Sequence, residues 1–223
     1  KNWCRLPAAE LEPLDRIRRR LKCRKRGMTQ KNLDRLKQFG DPVVVQRLMD
    51  LPDRLIEMAK HKTKDAAAAR SVQSALIVDM LLAVPLRLSN VAQLRIDRHL
   101  VRSQLDGKGP MTLSLPASDT KNARPFDTEL PAGTANLLRR YLRHHRPHLV
   151  AGADAGWVFP GRSGGHKHVV SISEQVERAV QRHVGAKMNV HLFRHLAGML
   201  YIDAHPGDYE TVRQLLGHTS IET

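Results

Sequence analysis

The sequence predicts an α+β fold that is mainly α-helical, with a small three-stranded antiparallel sheet in its middle. Three observations predict it. Residues 66–84 (AAAARSVQSALIVDMLLAV) are alanine-rich and apolar almost all round toward their end, the pattern of a buried central helix. The stretches His99–Gln104 and Met111–Leu115 are β-prone and flank Asp106-Gly107-Lys108-Gly109-Pro110, a hairpin signature. After a third short run, Pro125–Leu130, the apolar spacing becomes helical again and stays so to the end of the chain.

In chain order, Arg16–Arg26 reads RIRRRLKCRKR, a like-charge block that lies free or against phosphate, or forms a solvated helix face in a linker. Thr29 is placed to cap a short helix that Gly40-Asp41-Pro42 ends. Val43–Met58 has near-helical spacing broken at Pro52. Pro85 stops the central helix, and Leu86–Leu94 follows with Ser89 as its expected N-cap. Thr120-Lys121-Asn122-Ala123-Arg124 is a polar turn between the second and third strands. A helix is expected from Thr134 to about Arg143, then an apolar stop at Trp157–Pro160 and a glycine-rich loop. Ser173–His183 opens on an imperfect capping box formed with Glu177. His191–Asp203 is a helix ended by His205-Pro206-Gly207, and Asp208 caps Tyr209–Leu216 with Gly217 as its stop. The organisation reads as a basic N-terminal segment or linker over 1–45, or the end of a separate domain, followed by a domain over 46–223.

The formal net charge of +15 favours a polyanionic partner, nucleic acid first, over an anionic membrane surface or a merely basic exterior. Cys4 and Cys23 are too few for a disulfide framework and suggest a reducing compartment. The most apolar stretch, Ala75–Leu86, is too short to cross a bilayer, and no signal peptide is visible. The first residue is Lys, which suggests a piece of a longer chain. Aromatic residues are scarce, which argues against a platform that stacks single-stranded bases.

His191 and His195 have the spacing of two zinc ligands on a helix, but Leu192 stands where a general-base Glu belongs, so no metal is expected. There is no nucleophile elbow, phosphate-binding loop or dinucleotide fingerprint. What remains is a set of cations without paired carboxylates. Such a set suits a phosphodiester transition state, where arginines fork onto the non-bridging oxygens and imidazoles donate to them or move a proton. Taken alone, a His–x–x–Arg–His pattern is a weak signal.

Its context is specific. Leu86-Arg87-Leu88-Ser89-Asn90-Val91-Ala92-Gln93-Leu94, Thr120-Lys121, His191-Leu192-Phe193-Arg194-His195 and Leu215-Leu216-Gly217-His218 follow in this order. The chain resembles the catalytic domain of the tyrosine recombinases, the phage-integrase family, over roughly residues 50–223. The resemblance implies a helical catalytic domain, incomplete at its C-terminus, and a core-binding domain as one source of residues 1–45. It implies that Arg87 is the first catalytic arginine and Lys121 the catalytic lysine of a hairpin turn. His191 and Arg194 match the His–x–x–Arg pair, and His218 the second histidine. Asn90 and His195 fall in supporting places. Asn90 is a departure, because the family often has an acidic residue there. The nucleophilic tyrosine is expected near position 227, just after Thr223, so that residues 1–223 alone are expected to be inactive. Tyr141, Tyr201 and Tyr209 do not match its place.

The implied activity is site-specific recombination or integration of DNA, as in mobile genetic elements. Duplex DNA is cut and rejoined through a 3′-phosphotyrosyl intermediate that stores the bond energy, so no nucleotide cofactor is needed. The implied partners are double-stranded DNA and three further copies, a homotetramer on paired sites, with no membrane and no small-molecule substrate. The setting is the cytoplasm, at a bacterial nucleoid or encoded on a mobile element. Two rival readings stay open: a type IB topoisomerase-like relaxing enzyme that shares this active-site chemistry, and a DNA-binding protein of the same fold without catalysis.

Overall fold

The structure, a computed structural model, describes residues 28–102, 109–121 and 123–215, with residues 12, 13 and 17. The basic block Arg16–Arg26 apart from Ile17, both cysteines, the tip of the first hairpin at 103–108, Asn122 and the Leu216-Gly217-His218 motif lie outside the described residues.

The N-terminal part is a run of short helices. α1 spans Gln30–Lys37 behind Thr29, whose backbone carbonyl accepts the first turn's N–H groups. A 3-10 turn at Gln38–Gly40 drops Phe39 into the core. α2 (Pro42–Met49) is capped by the Asp41 carboxylate, which accepts from the Val43 N–H at 2.9 Å. α3 (Leu51–Lys60) follows at once. The break in the apolar run therefore falls at Asp50, and Pro52 begins α3 rather than interrupting a helix. Proline has no N–H to lose in a first turn and its φ is already helical.

α4 (Asp65–Ala83) is the axis of the domain. Val72–Val78, Met80 and Leu81 are all buried, and the helix packs on α3 and on most of the helices that follow it. It is long and apolar enough to pass as a membrane span by composition, but here its apolar residues fill the interior of the fold. After Pro85 the chain runs extended through Arg87. α5 (Leu88–Ala92) then starts two residues earlier than its serine suggests. Arg87 occupies the N-cap, its carbonyl accepting from the Val91 N–H, and Ser89 lies exposed inside the turn. Packing of Leu88 against the core decides this against the capping preference of Ser89.

α6 (Ile96–His99) leads into a meander of order β1-β2-β3: β1 Leu100–Arg102, β2 Met111–Leu115 and β3 Phe126–Glu129. Leu100 pairs with Leu113, and Leu115 with Phe126. Met111, Leu113 and Leu115 face the core while Thr112 and Ser114 do not, the alternation of a sheet covered on one side.

α7 (Ala132–Arg140) widens into a π turn at Tyr141–His145 and a 3-10 turn at Arg146–Leu149. Tyr141 is fully buried there, its hydroxyl donating to the Val158 carbonyl and accepting from the Gln73 amide. α8 (Val169–His183) begins four residues before the Ser173 box. His168 Nδ1 accepts from the Val170 N–H, and Ser173 sits inside the helix donating to Glu177. Ile172, Val176, Ala179 and Val180 form one buried stripe that carries the helix back past the serine. α9 (Val190–Ala204) is capped by Asn189, and α10 (Tyr209–Leu215) by Asp208.

Candidate active site

Two chain segments far apart in sequence meet at the C-terminal end of α4. The first is the extended stretch Val84–Arg87, held out of helix by Pro85. The second is the start of α9, where His191 is exposed in the first turn and Arg194, three positions on, is half-buried. The Arg194 guanidinium donates to the carbonyl of Pro85, two residues before Arg87. Burial, and then the nearby charge of Arg87, lower the Arg194 pKa to about 10. The fold thus brings two arginines close enough to repel. A dianionic or pentavalent phosphate is the kind of group that relieves such repulsion.

Lys121 is exposed in the turn between β2 and β3. A 3-10 turn at Ala117–Asp119 leads into it, and Thr120 closes it with its hydroxyl bridging the Arg124 N–H and carbonyl. Ala123 takes a left-handed φ of 50°, which lets the turn close. Asn90, 7% exposed, donates from its side-chain amide to the carbonyl of Asp119 at 2.9 Å. That bond ties the lysine's turn to the helix that Arg87 caps. His195 is half-buried on α9, one turn beyond His191. His218 lies outside the described residues.

The structure therefore joins Arg87 with Arg194, sets His191 on the same turn of α9, and links the Lys121 turn through Asn90. Reading the sequence does not single out His99 and Asp119, which hold that turn from the other side. Asp119 stands two residues before Lys121, and that adjacency is the only sequence signal.

Two of the three tyrosines are tied into the fold. Burial pushes the Tyr141 hydroxyl pKa well up, and the group is committed to Val158 and Gln73. Tyr201 donates to Asp208 at 2.8 Å and stacks on His205. Tyr209 is exposed on α10. Among the described residues, no group of three or more His, Cys, Asp or Glu is placed to hold a metal ion.

A second basic region lies along the N-terminal half of α4. A cavity of about 850 Å³ is lined by Lys62, Arg70, Arg162, Lys167 and Arg178, with Glu174 as its acidic member. Lys167 reaches its floor and donates to the side-chain carbonyls of Gln73 and Gln175. Burial, followed by the charges of Arg70, Arg178 and Arg162, brings its pKa down to about 8. Stacked cations of this kind suit the backbone of a nucleic acid.

A helical domain with a three-stranded insert and a paired-arginine site defines the class. Residues 41–223, most of the chain, match the family model of the Phage integrase family, and the chain belongs to that family of tyrosine recombinases. Tyrosine recombinase XerC of Pseudomonas aeruginosa is 29% identical over 188 residues, which cover 82% of this chain and 54% of that protein. The chain thus spans about half the length of this curated relative. Among solved structures, the XerH site-specific recombinase bound to difH substrate, in a pre-cleavage complex, superposes with a TM-score of 0.59 at 18% identity, covering 79% of this chain and 45% of that one. XerA recombinase gives 0.52 at 19% identity, covering 77% of this chain and 55% of that one. Both show the same fold as this chain.

Proposed function

We propose that this chain is the catalytic part of a site-specific recombinase or integrase, which cuts and rejoins duplex DNA through a 3′-phosphotyrosyl intermediate. The observation that carries the reading is the meeting of two arginines: Arg194 donates to the Pro85 carbonyl, two residues before Arg87, and burial first, then the charge of Arg87, lowers its pKa. Non-bridging phosphate oxygens gain charge in the transition state, and a preformed pair of guanidinium forks matches them.

In the proposed step a tyrosine hydroxyl attacks the scissile phosphorus. The Tyr O–P bond forms and the P–O5′ bond breaks. His191 assists removal of the phenolic proton, Lys121 delivers a proton to the departing 5′-oxygen, and His218 donates to a phosphate oxygen. One phosphodiester replaces another, so no cofactor is consumed, and attack by a 5′-hydroxyl of a second duplex reverses the step. Tyr141 and Tyr201 are engaged in the fold and Tyr209 is exposed on α10; the family resemblance implies an attacking tyrosine about nine residues after His218. Exchange between two duplexes breaks four strands, so four protomers on paired sites follow. The similar XerH recombinase is bound to its difH substrate in the solved complex, which supports duplex DNA as the partner here.

Arg194→Ala in the intact gene product tests the reading on a nicked suicide duplex. The covalent adduct is expected to disappear while most duplex affinity remains. Normal adduct formation by that variant overturns the assignment.

A further inference from the structure

We propose that His99 and Asp119 are positioning residues that fix the turn of Lys121 relative to the arginine pair. The proposal rests on the reading of Lys121 as the acid that protonates the 5′-oxygen.

Asp119 is gripped at three atoms by two neighbouring helices. Its Oδ2 lies 2.8 Å from His99 Nε2 and its Oδ1 accepts from Arg98 at 2.9 Å. Ser118 also donates to Oδ1, and the Asp119 carbonyl accepts from Asn90. His99 is itself fixed. It is 3% exposed, and its Nδ1 lies 2.9 Å from the backbone N–H of Arg95. A backbone N–H can only donate, so Nδ1 is the bare nitrogen and the ring's one proton sits on Nε2, aimed at Asp119. The hydrogen bond from His99 is the foremost reason the Asp119 carboxyl stays below the usual carboxylate range. The acceptor therefore remains ionised, and the bond is charge-assisted.

The path from clamp to acid is short. Arg87 caps α5, Asn90 on α5 holds the Asp119 carbonyl, and two residues later comes Lys121. A lysine side chain is long and flexible, so its reach is set by where its backbone is pinned. Loosening Asp119 would leave the arginines in place and let the acid wander. A role confined to holding the fold together predicts a different pattern: general loss of binding and cutting, blind to the leaving group.

The test uses the leaving group. A suicide duplex with sulfur in place of the bridging 5′-oxygen expels a thiolate, which needs no proton because a thiol has a pKa of about 8.5. Asp119→Asn and His99→Gln, in the intact gene product, are compared with Lys121→Ala and Arg194→Ala on the oxygen and sulfur duplexes. A positioned general acid is worth about 10²–10⁴ in rate, so the two positioning variants are expected to lose on the order of 10–100-fold on oxygen. On sulfur they should return to within about threefold of the unmodified protein, as Lys121→Ala does, while Arg194→Ala stays dead. Equal defects on both duplexes, or no defect on oxygen, overturn the proposal. Failure of sulfur to rescue Lys121→Ala overturns the role of Lys121 itself. Should the unmodified protein cut neither duplex, the reading of the site falls. Amide hydrogen exchange at residue 119 and at Thr120, whose N–H groups donate to the Pro116 and Ala117 carbonyls, then decides the latch: protection lost in Asp119→Asn supports it, and unchanged exchange overturns it.

Discussion

Replacing Arg194 by glutamine is expected to abolish cutting without weakening the fold. The guanidinium sits half-buried beside Arg87, and burial, then the charge of Arg87, brings its pKa down from the ordinary guanidinium range to about 10. A base whose folded pKa is lowered costs stability throughout the range below that value, so the penalty is fully present at pH 7. At about 1.4 kcal/mol per unit, the shift sets an upper bound of roughly 3.5 kcal/mol. Solvent screening at a partly exposed group reduces this to roughly 1–2 kcal/mol. Glutamine loses the charge-assisted bond to the Pro85 carbonyl, about 1.5–3 kcal/mol. The two nearly cancel, so the melting temperature should stay within about 3 °C of the parent or rise. Cleavage, by contrast, loses one arm of the clamp, a loss of about 10²–10³ in rate or more. Thermal melts and suicide-duplex assays on the same preparation measure both. A fall of more than about 5 °C would show that Arg194 supports the fold rather than the phosphate. Cutting at the parental rate would refute the clamp.

Other outcomes follow from the same contacts. Tyr141→Phe strips a partner from the buried Gln73 amide and the Val158 carbonyl. It should cost about 2–4 kcal/mol in urea titration, with the covalent step intact; no loss of stability would mean that these bonds are not made. Arg70→Glu with Arg178→Glu should weaken duplex binding and flatten its dependence on salt by about one unit of log–log slope per lost phosphate contact. An unchanged slope takes the cavity along α4 out of the DNA path. Burial raises the pKa of Asp79 against the hydrogen bond with Thr134, and the charge of Asp53 adds to the rise; the Asp79 Oδ2 has no hydrogen-bond partner among the described residues. Its folded pKa lies above the unfolded one, so this group makes stability fall as pH climbs between the two values. Asp79→Asn should remove that slope and leave the fold at least as stable at pH 7; a destabilised variant contradicts the account.

Much of the fold is legible in the sequence where one pattern dominates. From Val72 on, α4 is apolar on nearly all sides because it is buried on nearly all sides, and β2 alternates because only one face is covered. Helix starts are less legible because capping competes with packing. Ser89 and Ser173 are good caps by type, yet Leu88 and the stripe from Ile172 to Val180 pull each helix past them. The π turn at Tyr141 is set by contacts to Gln73 and Val158, 68 and 17 positions away, which no local window contains. The site divides in the same way. Arg87, Lys121, His191 and Arg194 stand in recognisable short motifs. The His99–Asp119 bond joins residues 20 apart across a helix end and a 3-10 turn, and neither residue has a pattern around it.

The polarity of the covalent product tests the central claim most directly. Suicide duplexes labelled on either side of the nick are incubated with the intact gene product, and protein-bound label is measured after denaturation. The account predicts that label stays with the protein only from the strand carrying the 3′-phosphate. The other fragment should be released with a 5′-hydroxyl that a kinase can phosphorylate, and both signals should vanish in Arg87→Ala and Arg194→Ala. Label attached through a 5′-phosphate, or no covalent product from the unmodified protein, would contradict it.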